Sequence, residues 1–68
     1  MMEYISDNIF WIARDRNENL YLYRKKPDKI CDSFVDKDEF ALELHPDLFP
    51  EVTFENSPQE FQLTPINL

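Results

Sequence analysis

The stretch Asn8-Ile9-Phe10-Trp11-Ile12-Ala13-Arg14, then Asp15-Arg16-Asn17-Glu18-Asn19, then Leu20-Tyr21-Leu22-Tyr23-Arg24 decides the fold class. The first run is β-branched and aromatic, and it is apolar at odd and even positions alike. That is the pattern of a central strand buried on both faces. The middle run is a polar break, and the last alternates aliphatic with aromatic at the period of a strand. Together they predict a β-hairpin. Setting Ile12 opposite Leu22 places Phe10, Ile12, Leu20 and Leu22 on one face. Trp11, Ala13, Tyr21 and Tyr23 then share the other, and a slip of one residue would scramble that separation.

Residues 25–29 form a charged connector stiffened by Pro27. Residues 30–35 read either as a short strand or as a loop anchored by Ile30 and Phe34. A turn is expected at 36–38. Residues 39–44 alternate strictly, so Phe40, Leu42 and Leu44 share a buried face while Glu39, Ala41 and Glu43 face water. Pro46 and Pro50 leave room for a single helical turn over residues 46–49. Two further strand-like runs, 52–55 and 60–64, flank the turn signal Asn56-Ser57-Pro58-Gln59 and predict a second hairpin. The chain has no glycine, so turns that require positive φ are expected at Asn17, Asn19, Asp28, Asp36 or Asn56. The expectation is one all-β domain over residues 1–68, mainly antiparallel, with residues 1–7 and 65–68 frayed. Its strands would form a compact four- to five-stranded sheet or a small barrel of two hairpins. An α+β arrangement, with 36–49 more helical, is the alternative.

Composition narrows the function classes. Sixty-eight residues make one domain whose core is thin, since folding at this size hides only about 60% of the unfolded surface. Ten residues are Phe, Tyr or Trp, and that bulk compensates in part. A homodimer that buries more aromatic surface is compatible with such a chain. Cys31 is the single cysteine, which excludes an internal disulfide and a cysteine zinc cluster and suits a reducing compartment. Residues 1–7 carry two acidic side chains and no basic one, and the apolar run 9–13 is short. Neither a signal peptide nor a membrane span is expected, so the reading is cytoplasmic. Residues 1–29 hold six basic against five acidic side chains, whereas 30–68 hold nine acidic side chains against Lys37 alone. The formal net charge of −7 repels phosphate, so direct nucleic-acid binding is not expected. Arg24-Lys25-Lys26 could touch an anion, or could simply be a solvated strand end.

Catalytic chemistry is sparse. A nucleophile needs a base, and the only histidine is His45. Cys31 has Asp32 beside it, the wrong charge to activate a thiol. His45 with Asp47 falls short of a three- or four-ligand metal set. Asp36, Asp38 and Glu39 lack the glycine and the twelfth-position Glu of a calcium loop. Phosphate-cradling and dinucleotide loops need glycine and are excluded. The expectation is no catalytic, metal or cofactor site. What remains is aromatic surface: Trp11, Tyr21 and Tyr23 on one sheet face, with Arg24 next in sequence, are the candidate protein interface. Alternatively, Phe49 or Phe61 covers that face and makes it core.

Trp11-Ile12-Ala13-Arg14-Asp15, then Leu20-Tyr21-Leu22-Tyr23 and Lys26-Pro27, then Leu44 and Asp47-Leu48-Phe49-Pro50-Glu51-Val52-Thr53-Phe54-Glu55 occur in a particular order and spacing. Between Trp11 and Glu55 this pattern resembles a family of small phage, prophage and gut-bacterial proteins with no assigned activity. Those proteins carry Asp-Gly in the first turn, where this chain has Asn17-Glu18-Asn19, and Trp in place of Phe54. The resemblance implies an accessory protein of a mobile element and names no site. The expected function is a non-catalytic module that binds an unidentified protein partner. The alternatives are an acidic decoy occupying a nucleic-acid-binding groove, and a structural homo-oligomer.

Overall fold

A computed structural model of the chain describes residues 8–36 and 41–63. The strands are β1 (Ile9–Arg14), β2 (Leu20–Tyr23), β3 (Asp28–Ile30), β4 (Ser33–Val35), β5 (Leu42–Leu44) and β6 (Gln59–Gln62). A four-stranded antiparallel sheet runs in the order β5-β2-β1-β6, and β3-β4 is a separate two-stranded hairpin. The fold is all-β, and the sheet is open rather than a closed barrel.

β1 and β2 pair with Ile12 opposite Leu22 and Trp11 opposite Tyr23, the register that the hydrophobic pattern requires. Leu42 and Leu44 of β5 lie opposite Leu22 and Leu20, and Phe61 of β6 lies opposite Phe10. The sheet therefore has an aliphatic face, carrying Phe10, Ile12, Leu20, Leu22, Leu42, Leu44 and Phe61. Its aromatic face carries Trp11, Ala13, Tyr21 and Tyr23. Each face holds its own small core. Ile12, Leu20 and Val52 are fully enclosed on the aliphatic side, each contributing roughly 1.5–3 kcal/mol. Ala13, Tyr23 and Phe34 are enclosed on the aromatic side.

Arg14 closes the aliphatic core. It ends β1 and is 6% exposed, yet its partners are all main-chain carbonyls. Its Nε donates to Val52 O at 2.6 Å, Nη1 to Glu18 O and Pro46 O at 3.0 Å, and Nη2 to Leu48 O and Phe49 O at 3.1 Å. A guanidinium has five N–H bonds, and every one is used. The loop over residues 45–52 is thereby wrapped around one side chain. Phe49 is drawn onto the sheet, edge-on to Phe61 at 5.2 Å, and Val52 is drawn beneath it. The carbonyls that bind Arg14 are therefore unavailable to a helix.

Three sequence expectations are corrected. Residues 46–49 form no helical turn: Leu48 N–H bonds to His45 O in a simple turn, and no helix occurs among the described residues. This also removes the α+β alternative. Residues 52–55 are not a strand, because side chains take the polar groups that a ladder would use. Thr53 N–H donates to Asn56 Oδ1, Asn56 N–H to Thr53 Oγ1, and Asn56 Nδ2 to Glu51 O. β6 pairs instead with β1, and Ser57 Oγ continues that register by accepting the Arg14 N–H. The positive-φ positions are Glu18, Cys31 and Phe49, not the expected Asn and Asp residues. Glu18 follows a turn closed by its own N–H to Asp15 O, and a three-residue hairpin loop puts the left-handed conformation at that place whatever the side chain. Cys31 occupies the first position of the two-residue turn joining β3 and β4, which has the same requirement.

Residues 30–35 and part of the 25–29 connector resolve into the β3-β4 hairpin, tied back by Arg16 N–H to Asp32 O and by the Arg16–Asp32 ion pair at 2.7 Å. The expected frayed ends, residues 37–38 of the expected turn and residues 39–40 of the expected strand lie outside the described residues.

Two substitutions probe this arrangement. Lys at position 14 has only three N–H donors, and hydrogen bonds to a charged donor are worth about 1.5–3 kcal/mol each. R14K is expected to lose about 3 kcal/mol or more, a large part of the roughly 3–10 kcal/mol that a chain this size holds; urea denaturation reads it directly. E18G relieves a left-handed non-glycine residue and is expected to raise stability by about 0.5–1 kcal/mol. An E18G midpoint at or below that of the parent would contradict the strain at this turn.

Candidate interaction surface

The aromatic face is mostly covered. Tyr23 is 3% exposed and its hydroxyl donates to Phe34 O at 3.3 Å. Trp11 and Tyr21 are half-buried, and the Lys26 ammonium stands 5.8 Å from the Trp11 ring centre. The cover is the β3-β4 hairpin together with Phe54, whose ring meets Phe34 edge-on at 6.1 Å. Arg16 and Lys29 lie over Phe54 at 4.6 and 4.1 Å. Phe49 and Phe61, the residues expected to cover this face, pack on the opposite one. Of the four candidate interface residues, Tyr23 is buried, Trp11 and Tyr21 are half-buried on the same face, and Arg24 is exposed just past the end of β2.

A polar pair lies under this cover. Asp15 accepts the Phe34 N–H, while its Oδ1 is buried and unpartnered. Burial raises the carboxyl pKa above the ordinary 3.8. The Tyr23 phenol is pushed up to about 12, first by burial and then by Asp15, Tyr21 and Asp36, so it stays a donor at neutral pH.

Exposed apolar side chains lie on the β3-β4 hairpin, where Ile30, expected as a buried anchor, and Val35 face outward, and in a larger group on the aliphatic face. The 45–52 loop covers the end of this face nearest the 15–19 turn. Across the other end runs a band from Leu42 through Leu22 and Phe10 to Phe61 and Leu63. Phe10 and Phe61 stack at 5.6 Å with ring planes 14° apart. Leu63 N–H bonds Asn8 O, which carries the β1-β6 register one pair further and puts Leu63 on the same face. Leu42 is 54% exposed and Leu63 60%. Leucines this exposed at both sheet edges, joined by half-buried Leu22, Phe10 and Phe61, make a continuous apolar band rather than scattered surface residues. The alternation that separates the two faces is legible in the sequence, but which part of a face stays uncovered is not.

Chemistry-bearing groups do not converge. His45 Nδ1 accepts the Asp47 N–H at 3.1 Å, and Cys31 is exposed at the tip of the β3-β4 turn. Among the described residues no three His, Cys, Asp or Glu side chains gather as a metal set. An open groove of about 550 Å³ beside Arg14 is lined by Glu18, Asp47 and Glu55 as well as by Pro46, Pro50 and Phe54. It holds no nucleophile paired with a base. No helix among the described residues is long and apolar enough to cross a membrane. Comparisons with protein-family models, curated proteins and solved structures find no match to this chain.

The raised Asp15 pKa has a definite sign. The folded state binds this proton more tightly than the unfolded state does. Its contribution to stability is therefore full below pH 3.8 and is lost as pH rises through the folded value. D15N removes the titration. The stability difference between D15N and the parent is expected to favour D15N more at pH 7 than at pH 4 in paired denaturation curves; a pH-independent difference would refute the desolvation of Asp15.

Proposed function

We propose that this chain is a non-catalytic protein-interaction module, of the kind encoded by phages and mobile elements, and that it works through the aliphatic face of its sheet. The observation that supports this reading is the apolar band from Leu42 to Leu63, with leucines more than half exposed at both ends. Burying such side chains against a partner gains roughly 1.5–3 kcal/mol for each one fully covered. The mobile-element origin rests on the pattern between Trp11 and Glu55. The absence of any need for cofactors or metals follows from a binding role.

A second reading, the acidic decoy, draws on one specific feature. Residues 41–63 carry five carboxylates and no Lys or Arg. A partner held by that charge would dissociate steeply with salt, whereas one held by the apolar band would not.

The test compares the parent with the L42E/L63E variant as tagged baits in nuclease-treated bacterial lysate that also contains the untagged chain, at low and high salt. A stoichiometric protein retained at both salts by the parent and lost by the variant is the expected result. Retention only at low salt, unaffected by the variant, would favour the decoy. Substrate turnover that depends on His45 or Cys31 would overturn both.

A further inference from the structure

We infer that the protein seated on the apolar band is a second copy of this chain, related by a two-fold axis that crosses the strands in the plane of the face. This deepens the interaction reading and rests on it. The aliphatic face has the form of a step. The 45–52 loop, clamped by Arg14, adds a layer over the end next to the 15–19 turn, while Leu42, Leu22, Phe10 and Leu63 lie at the level of the sheet beyond it. A two-fold axis across the strands reverses strand direction, so each copy's raised loop falls on the other copy's uncovered end. Both faces are used at once, as an isologous interface demands.

The loop carries the apolar knob that such seating needs. Leu48 is 47% exposed although its neighbour Phe49 is packed inward. The same operation brings opposite charges together. Arg24 is exposed at the uncovered end, just past β2, and Asp47 and Glu51 are exposed on the loop. Each copy presents Arg24 to the other copy's Asp47 and Glu51, and the symmetry makes this contact twice. Charge of this kind sets orientation more than affinity. The enclosed core supplies a further reason. Among the described residues only Ile12, Leu20 and Val52 of the large side chains are fully buried, and small domains of that kind commonly gain their remaining stability by association.

Sedimentation over a wide concentration range tests the inference on the full chain. The parent is expected to be a dimer whose melting midpoint rises with protein concentration. L42E/L63E changes two exposed residues on each copy. It should weaken association on the order of a hundredfold or more while preserving the β-sheet circular dichroism of the monomer. R24E alone should also weaken the dimer, and R24E combined with D47K and E51K should restore it. A parent that is monomeric at every concentration overturns the inference. A dimer indifferent to L42E/L63E, or a reversed-charge variant that fails to recover, overturns this interface. A monomer that still captures a different protein through Leu42 and Leu63 overturns the second copy and keeps the interaction reading; a monomer that captures nothing overturns both.

Discussion

The guanidinium of Arg14 holds the structure together. It places a full positive charge inside a small protein without a carboxylate partner, using five carbonyl oxygens instead. Burying an unpaired charge ordinarily costs several kcal/mol. Here the cost is offset because the carbonyl dipoles converge on it and every N–H finds an acceptor, so no donor is left dry. The surrounding excess of carboxylates adds a favourable field. The loop in turn depends on the arginine. Pro46, Leu48, Phe49 and Val52 all present carbonyls inward, and Phe49 does so from a left-handed backbone that costs a bulky residue of order 1–3 kcal/mol. The guanidinium bonds, together with the packing of the Phe49 ring on Phe61, offset that strain.

From this clamp the shape of the aliphatic face follows. The loop is fixed over one end of the aliphatic face, so the other end keeps its leucines in water. The aromatic face meets a different end. The β3-β4 hairpin folds back through the Arg16–Asp32 contacts, Phe34 and Phe54 close over Ala13 and Tyr23, and the Tyr23 hydroxyl is consumed by Phe34 O. The larger aromatic side chains thus serve stability. The apolar residues left exposed on the aliphatic face are leucines that look ordinary in the sequence.

The sequence was legible where periodicity is strong. The alternation through Phe10, Ile12, Leu20 and Leu22 allowed only one register for β1 and β2, because a single-residue slip would expose half the apolar set. It was misleading where a polar side chain could serve a neighbouring backbone. Thr53 and Asn56 look compatible with a strand followed by a turn, but their reciprocal bonds close the turn early. Turn geometry likewise overrode residue preference at Glu18, Cys31 and Phe49. Asn17 and Asn19, which would tolerate positive φ, flank Glu18, and Asp32 follows Cys31, each one position from where the loop requires it.

By itself, then, the sequence determined the all-β class, the central hairpin and the identity of its two faces, because these depend on a period of two that any folded arrangement must respect. Tertiary structure alone decided what covers each face. Arg14 gathers carbonyls up to 38 residues away in the chain, and the partners of β5 and β6 are likewise distant in sequence. Such choices depend on which polar groups are left to satisfy one another once the hairpin has formed. Among the described residues, the exposed end of the aliphatic face is the remainder of that accounting.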